Sequence, residues 1–375
     1  MAIIPQNIIT ELVNNYKAFL NGIQFREGED FYSDNYQIFE LSYNENPLGP
    51  GKLARDTIIK HAEFGHRYPP LGYSVLINEL AQRLKLYPDN MLITAGSVTA
   101  IFLAVSQYAD PGEKVIFSKS SLPWYRWSTL VNNSIPVPVP LMSDMNHDLD
   151  AMLAQVDNKT KIVIISNPHN PTGLYVSESE LKSFYEKLPE NVLFIVDQAY
   201  YEYQSNQEKI LSNMINEVPN LMLTRTFSKI HGLAGMRVGY AIANRRIIEG
   251  LSAKWLSFMP AIGSISTYAA LHALSDQEHI ERSVKFNNEV KENIYILAEK
   301  YGLDYLKSEA NFVAVNIIDS RKKEKIFHDN NMMFTAGYFF GYPEWARISF
   351  VKRKEEFYEK LNLVFNKVKG RFHSG

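Results

Sequence analysis

The chain has 375 residues, 46% of them apolar and 21% charged, with a formal net charge of −2 at pH 7. That is the balance of an ordinary globular protein with one large domain and a smaller one, and it gives no reason to expect nucleic acid or an anionic membrane as a partner. With no cysteine in the sequence, disulfides, thiol nucleophiles and thiolate metal sites are excluded.

The first residues, "MAIIPQNIITELVNNYKAFL", lack a basic stretch leading into an apolar core, so they do not read as a signal peptide. No apolar run nears the ~20 residues that span a bilayer, and a cytoplasmic location is expected. Residues 1–40 are read as a helical arm. From about Tyr73, amphipathic helix-length segments alternate with short apolar runs. "SVTAIFLAVSQYA" reads as a helix after Gly96. "KVIFS" (114–118), "KIVIIS" (161–166) and "NVLFIVD" (191–197) have the β-branched content of strands buried on both faces. "SESELKSFYEKL" opens with Ser177 and Glu180 at capping-box spacing. "LMLTRT" (221–226) and "RVGYAIA" (237–243) continue the strands. This alternation predicts an α/β domain over 41–276, with a mainly parallel sheet and helices on both faces. After about Asp276 come a long charged helix, "QEHIERSVKFNNEVKENIYILAEKY", then "NFVAVNI", "MMFT", "ARISF" and a last helix. These predict a smaller α+β lobe over 277–375, closed by "RFHSG" as a tail. No histidine pair has metal-ligand spacing, and no metal is expected.

In doubly wound sheets, ligands sit at the carboxyl ends of strands, and several polar residues fall there. Asp197 closes "NVLFIVD", and Tyr200 follows it. Asn170 lies in "NPHNPTG", after a strand. Ser97 opens a helix, so its hydroxyl and the first amides are available to an anion. Lys229 sits between "TFS" and the nearly acid-free run "IHGLAGMRVGY", which also carries Arg237. A lysine kept in such surroundings needs a reaction or a partner. One ligand explains the set: a phosphorylated, electron-withdrawing aldehyde that a lysine amine can capture. A phosphate of about −1.5 to −2 charges suits a helix N-terminus, small hydroxyls and an arginine. A pyridine ring withdraws electrons best when protonated, a state that a buried aspartate favours. That cofactor is pyridoxal 5′-phosphate.

"NPHNPTG", "VDQAYYEY" and "RTFSKIHGLAGMRVGY", in this order, resemble the fold-type I pyridoxal-phosphate enzymes of the aspartate aminotransferase superfamily. "LSYNENPLGP", "RYPPLGY" and "RTFSK…LAGMRVGY" are most similar to its histidinol-phosphate aminotransferase branch. The resemblance runs from about Leu41 to Phe350. It implies that Lys229 captures the cofactor and shuttles the proton, that Asp197 pairs with the pyridine nitrogen, and that Asn170 and Tyr200 hold the ring hydroxyl. Ser97, Val98, Thr226, Ser228 and Arg237 would cradle the phosphate. Arg347, with Asn46, would bind substrate, the arginine as a fork on the α-carboxylate. Trp124 takes the position of the ring that stacks on the cofactor, with Tyr125 as the fallback. Tyr68 would reach the phosphate of a neighbouring subunit, which implies a homodimer with shared sites.

The sequence departs from that pattern in places. Val98-Thr99 replaces an acidic pair, His169 an asparagine, and Gln198 a glutamate. Thr335 stands where an arginine for a substrate phosphate is usual. An amino acid bearing an α-carboxylate is therefore expected as donor rather than histidinol phosphate. Trp124, Tyr125 and Trp127, with "GYFFGYPEW", would offer it an aromatic wall. The expected reaction moves an α-amino group to a 2-oxo acid. Decarboxylase, lyase or oxidase chemistry on the same fold is the alternative. A non-enzymatic regulator is disfavoured, because no basic segment or room for a DNA-binding module precedes Leu41.

Overall fold

The β-branched runs become strands, and their register decides what meets at the edge of the sheet. The computed structural model describes residues 38–69, 73–257 and 262–370, together with positions 10, 13 and 14. The rest of the arm expected over 1–40, and the closing "RFHSG", lie outside the described residues.

Seven strands form the larger sheet: β2 (Met91–Thr94), β3 (Lys114–Ser118), β4 (Ile135–Val139), β5 (Thr160–Ser166), β6 (Leu193–Asp197), β7 (Leu221–Thr226) and β8 (Gly239–Ala243). Four more form a second sheet: β1 (Phe39–Leu41), β9 (Phe312–Asn316), β10 (Met332–Ala336) and β11 (Trp345–Ser349). The order of the large sheet is β2-β8-β7-β6-β5-β3-β4. Its pairings are parallel except those of β8, which is antiparallel to β2 and β7. Such a sheet buries both faces, and β3, β5, β6 and β7 are buried almost throughout.

Register places Ser166 beside Asp197 and Asp197 beside Thr224. Thr226 and Thr94 both pair with Gly239, so the loop leaving β7 returns to the same edge of the sheet. The capping box at Ser177 and Glu180 forms and starts the helix Glu178–Tyr185. β8 begins two residues later than "RVGYAIA" suggests. Arg237 takes a left-handed φ of 55°, which removes it from the strand and makes it part of the loop.

The long charged helix spans Gln277–Lys300. The second sheet has the order β1-β10-β11-β9. β1 lies N-terminal to the large sheet in sequence, yet it runs parallel to β10. Phe39 and Leu41 share an apolar core with Val290, Val313, Ile348 and Phe357, separate from the core under the large sheet. The segment Ser42–Pro50 therefore passes from one lobe to the other. Among the described residues, no helix is long and apolar enough to cross a membrane.

Candidate active site

Asp197 is buried at the end of β6, and each of its oxygens receives one neutral hydroxyl. Tyr125 Oη donates to Oδ2 at 2.8 Å, and Thr224 Oγ1 donates to Oδ1 at 3.0 Å. Burial raises the carboxyl above its usual pKa, while these donors act in the opposite direction. A protonated ring nitrogen beside it would form a charge pair and offset the burial cost.

Lys229 lies in the loop after β7. Its Nζ donates to the backbone oxygens of Tyr43 at 2.9 Å and Asn44 at 3.0 Å, and stands 5.6 Å from the centre of the Tyr200 ring. Burial, then the Arg347 charge, lowers its pKa from the usual 10.5 to about 7. The amine is thus substantially neutral near pH 7, the form that attacks an aldehyde. Gly232 closes the turn at a φ of +66°, and a Cβ there would stand 2.0 Å from the Gly49 oxygen, so the turn packs directly on the Ser42–Pro50 segment.

Beside this loop, the helix Ser97–Tyr108 begins after Gly96, whose φ is +84°. A Cβ on Gly96 would lie 2.7 Å from an Arg237 guanidinium nitrogen, so the glycine lets the arginine sit against the helix start. Thr226 Oγ1 donates to Ser228 Oγ at 3.0 Å and accepts from the Ser228 amide at 3.1 Å. Ser97, Thr226 and Ser228 are buried, and Val98 is half-buried. Three hydroxyls, a guanidinium and the first amides of a helix are a lining suited to a dianion.

On the opposite side, the Tyr200 hydroxyl accepts from the amides of Asn44 at 2.9 Å and Asn170 at 3.1 Å. Its own proton is left free to donate. Asn170 Oδ1 accepts from Arg347 Nη1 at 2.7 Å, and Arg347 Nη2 donates to Thr335 Oγ1 at 2.9 Å and to the Ser42 oxygen. The guanidinium carbon lies 5.5 Å from the ring centres of both Phe312 and Phe340, and among the described residues Nε is buried without a partner. Burial lowers the arginine's pKa to about 10.

The other expected residues have different surroundings. Trp124 and Tyr125 are neighbours on the helix Pro123–Val131, but Trp124 is 38% exposed, with its ring edge-on to Trp127 at 4.7 Å, while Tyr125 is 0% exposed and bound to Asp197. Tyr125 therefore serves the aspartate and is not the stacking fallback. Asn46 is committed as well: Nδ2 donates to the Ile230 oxygen at 2.7 Å and to Ser283 Oγ at 2.9 Å, and Oδ1 accepts from the Leu48 amide. It clamps the segment to the lysine loop, in place of the substrate contact expected of it. Tyr68 is 97% exposed on the single chain. Ser120 Oγ donates to the Phe340 backbone oxygen, which ties the segment before Trp124 to the "GYFFGYPEW" segment. A cleft of about 340 Å³ between Glu40, Tyr43, Lys352 and Arg353 is not lined by Lys229, Asp197 or Arg347 and is not the reaction site.

His169 and Gln198 have structural explanations. His169 meets Thr172 Oγ1 at 2.9 Å, Ser121 Oγ at 3.2 Å and the His147 ring edge-on at 4.3 Å, and burial keeps it neutral. Gln198 accepts from Arg225 Nε at 3.0 Å and donates to Glu178 Oε1 at 3.0 Å, so the carboxylate acts one relay away. Asn44 is the residue that sequence reasoning missed. It is buried at a φ of 55°, and its backbone oxygen holds Lys229 while its amide holds Tyr200.

The model of the family "Aminotransferase class I and II" matches residues 36–361. The histidinol-phosphate aminotransferase of Caldicellulosiruptor saccharolyticus is 34% identical over 315 residues, 84% of this chain and 87% of that protein. That of Bacillus velezensis is 33% identical over 333 residues, 88% of this chain and 91% of that protein. Among solved structures, the histidinol-phosphate aminotransferase of Sinorhizobium meliloti in complex with pyridoxal 5′-phosphate aligns at a TM-score of 0.80 and 25% identity, covering 88% of this chain and 91% of that one.

Proposed function

From the premise that this chain belongs to the class I and II aminotransferase family and uses pyridoxal 5′-phosphate to transfer amino groups, we propose that it takes its amino group from a donor whose α-carboxylate is held by Arg347. The observation that carries this reading is the arginine itself. It is buried between two phenyl rings, its Nη atoms are fixed by Asn170, Thr335 and Ser42, and its Nε–H has no acceptor among the described residues. A carboxylate is a planar acceptor for such a donor.

The residues fit the cofactor. Support comes from the close approach of Arg237 to Gly96, from the hydroxyls of Ser97, Thr226 and Ser228, and from the neutral-leaning amine of Lys229. Ser97, Val98, Thr226, Ser228 and Arg237 would hold its phosphate, Asp197 its ring nitrogen, and Asn170 with Tyr200 its ring hydroxyl. Trp124 remains the proposed stacking ring. Bound there, the cofactor supplies an aldehyde and an electron-withdrawing ring that stabilises negative charge at the donor's α-carbon. Lys229 then accepts and returns the proton at that carbon, with a pKa near 7 that suits it to both roles. Tyr200 orients the ring with the proton its two asparagine partners leave free.

The relatives named histidinol-phosphate aminotransferases raise the question of a phosphorylated donor. Thr335 Oγ1 is occupied by Arg347 and by the Ser42 oxygen at 3.2 Å, and it offers no positive charge. A phosphate there would have to draw on Arg347, whose Nη atoms are already engaged and whose single charge leaves a buried dianion under-balanced. Competing α-amino acids against histidinol phosphate in a coupled assay tests the reading. A higher kcat/KM for an α-amino acid supports it, and a clear preference for histidinol phosphate overturns it.

We also propose a cytoplasmic homodimer. Tyr68 and the exposed apolar side chains of Leu53, Ile59, Phe64 and Val75 lie on one stretch of chain, and burying such residues against a second copy would remove them from water. Sedimentation equilibrium that gives the monomer mass at micromolar concentration would sink this.

A further inference from the structure

We propose that Tyr125 is a positioning residue for the aminotransfer reaction: by donating its phenolic proton to Asp197 it keeps that carboxylate ionised and correctly turned, and so sets the protonation of the cofactor's ring nitrogen. This rests on the reading of Asp197 as the partner of that nitrogen.

Tyr125 lies on the helix Pro123–Val131. Proline at its start fixes the entry of the chain, and successive residues then point about 100° apart around the axis. That rotation leaves Trp124 partly exposed and drives Tyr125 fully inside, edge-on to Phe117 with ring centres 6.3 Å apart. A phenol buried this deeply needs an acceptor. It finds Asp197 Oδ2 at 2.8 Å. Thr224 Oγ1 serves Oδ1 at 3.0 Å, so the carboxylate is gripped at both oxygens by neutral donors. Burial, reinforced by the Asp197 charge, pushes the phenol's own pKa well above its usual value, so it stays a donor across the working pH range.

A neutral donor is the right kind of partner here. A cation in its place would satisfy the carboxylate outright and remove the reason for a positive ring nitrogen beside it. A donor stabilises the ionised form while leaving the charge to be balanced. Without the phenol the buried carboxyl becomes more basic, and the proton shared between it and the ring nitrogen moves toward the oxygen. The ring then withdraws electrons less well.

The test uses Tyr125→Phe, which keeps the ring and its packing, and Thr224→Val, which removes the other donor. Both are reconstituted with pyridoxal 5′-phosphate labelled with 15N in the ring. The ring-nitrogen chemical shift is expected to move toward the unprotonated value in each, and kcat to fall by about 10- to 100-fold, the size of one hydrogen bond to a charged group. KM for the donor should stay within about twofold, because the substrate side is untouched. A merely structural tyrosine would lower the melting temperature or cofactor occupancy and leave the shift unchanged; that result overturns the proposal. Asp197→Asn is the control. A shift that responds to Asp197→Asn but not to Tyr125→Phe refutes the role of the tyrosine alone. A shift that ignores both refutes the reading of Asp197, and this proposal with it.

Discussion

On one side of the site, Ser166, Asp197 and Thr224 arrive from neighbouring strands in register, and the loop from β7 to β8 brings Lys229 and Arg237 to the same edge. On the other side, Asn44, Asn170, Arg347 and Ser349 converge from segments as much as 305 positions apart. The first side is fixed by backbone pairing and presents hydroxyls, a carboxylate and a cradle for phosphate. The second joins two residues of β11 to residues of two loops through side-chain hydrogen bonds and presents a buried cation. We take the first to govern chemistry on the cofactor and the second to govern which donor is held. If that division is sound, substitutions on the two sides should move different kinetic constants.

The largest effect is expected at Lys229, which touches both sides. Lys229→Ala should remove the visible absorbance band of the lysine-bound cofactor and lower turnover by about 10⁴-fold or more, the upper range for a lost acid–base group. Borohydride fixing the cofactor to another lysine would break the assignment. The pH dependence follows from the lowered pKa. Below about 7 the amine is protonated and cannot attack; above about 7, instead of above 10.5, it is mostly neutral. The rate at which cofactor-free protein takes up pyridoxal 5′-phosphate should rise through pH 7 and flatten above it. A rate still climbing steeply between pH 8 and 10 would show that burial does not depress this lysine.

Arg347 should come next. Removing one partner of a buried hydrogen-bonded charge pair costs roughly 2–5 kcal/mol, so Arg347→Ala should lower kcat/KM for carboxylate-bearing donors by about 30-fold or more, mostly through KM. Donors without the carboxylate should lose far less. Equal losses for both classes would mean that the arginine only holds Asn170 and Tyr200 in place.

The same division explains what could be read in advance. Asp197 and Lys229 were legible because a buried strand that ends in a charge, and a lysine set in a small-residue loop, are local signals. Local patterns also gave the mainly parallel sheet and the long helix from Gln277. Asn44 was not legible. "LSYNENP" holds two asparagines, and nothing local says that Asn44 adopts a left-handed φ and faces Tyr200 while Asn46 clamps Ile230 and Ser283. Trp124 and Tyr125 posed the same problem on a helix, where one residue of rotation exchanges inside for outside. Only the docking of Tyr125 against Asp197 decides it. Gln198 looked like a loss of charge because Glu178, which supplies the carboxylate, lies on another element. β1 was not legible either: Phe39 falls in the arm expected over 1–40 and Leu41 at the start of the large domain, while their pairing with β10 puts both with the second sheet.

The smallest effect is also the sharpest comparison. Ser349 Oγ accepts from the Asn44 backbone N–H at 3.1 Å and donates to Asn44 Oδ1. Ser349→Ala would leave both groups buried and unpaired, at a cost of about 1–3 kcal/mol each before relaxation. The Asn44 side chain would loosen, and with it the grip on Tyr200, while the Tyr43 backbone oxygen still holds the lysine amine. The expected result is a lower melting temperature and a KM for the donor raised by about 3- to 10-fold, with kcat held within about twofold because Asp197 and its two donors are unchanged. Thr224→Val, made on the opposite side, should do the reverse, lowering kcat while KM stays put. Two hydroxyls of similar burial are compared, each bonded to one polar residue of the site. If both variants shift the same constant, the site is one undivided network, and the separation of chemistry from donor binding fails.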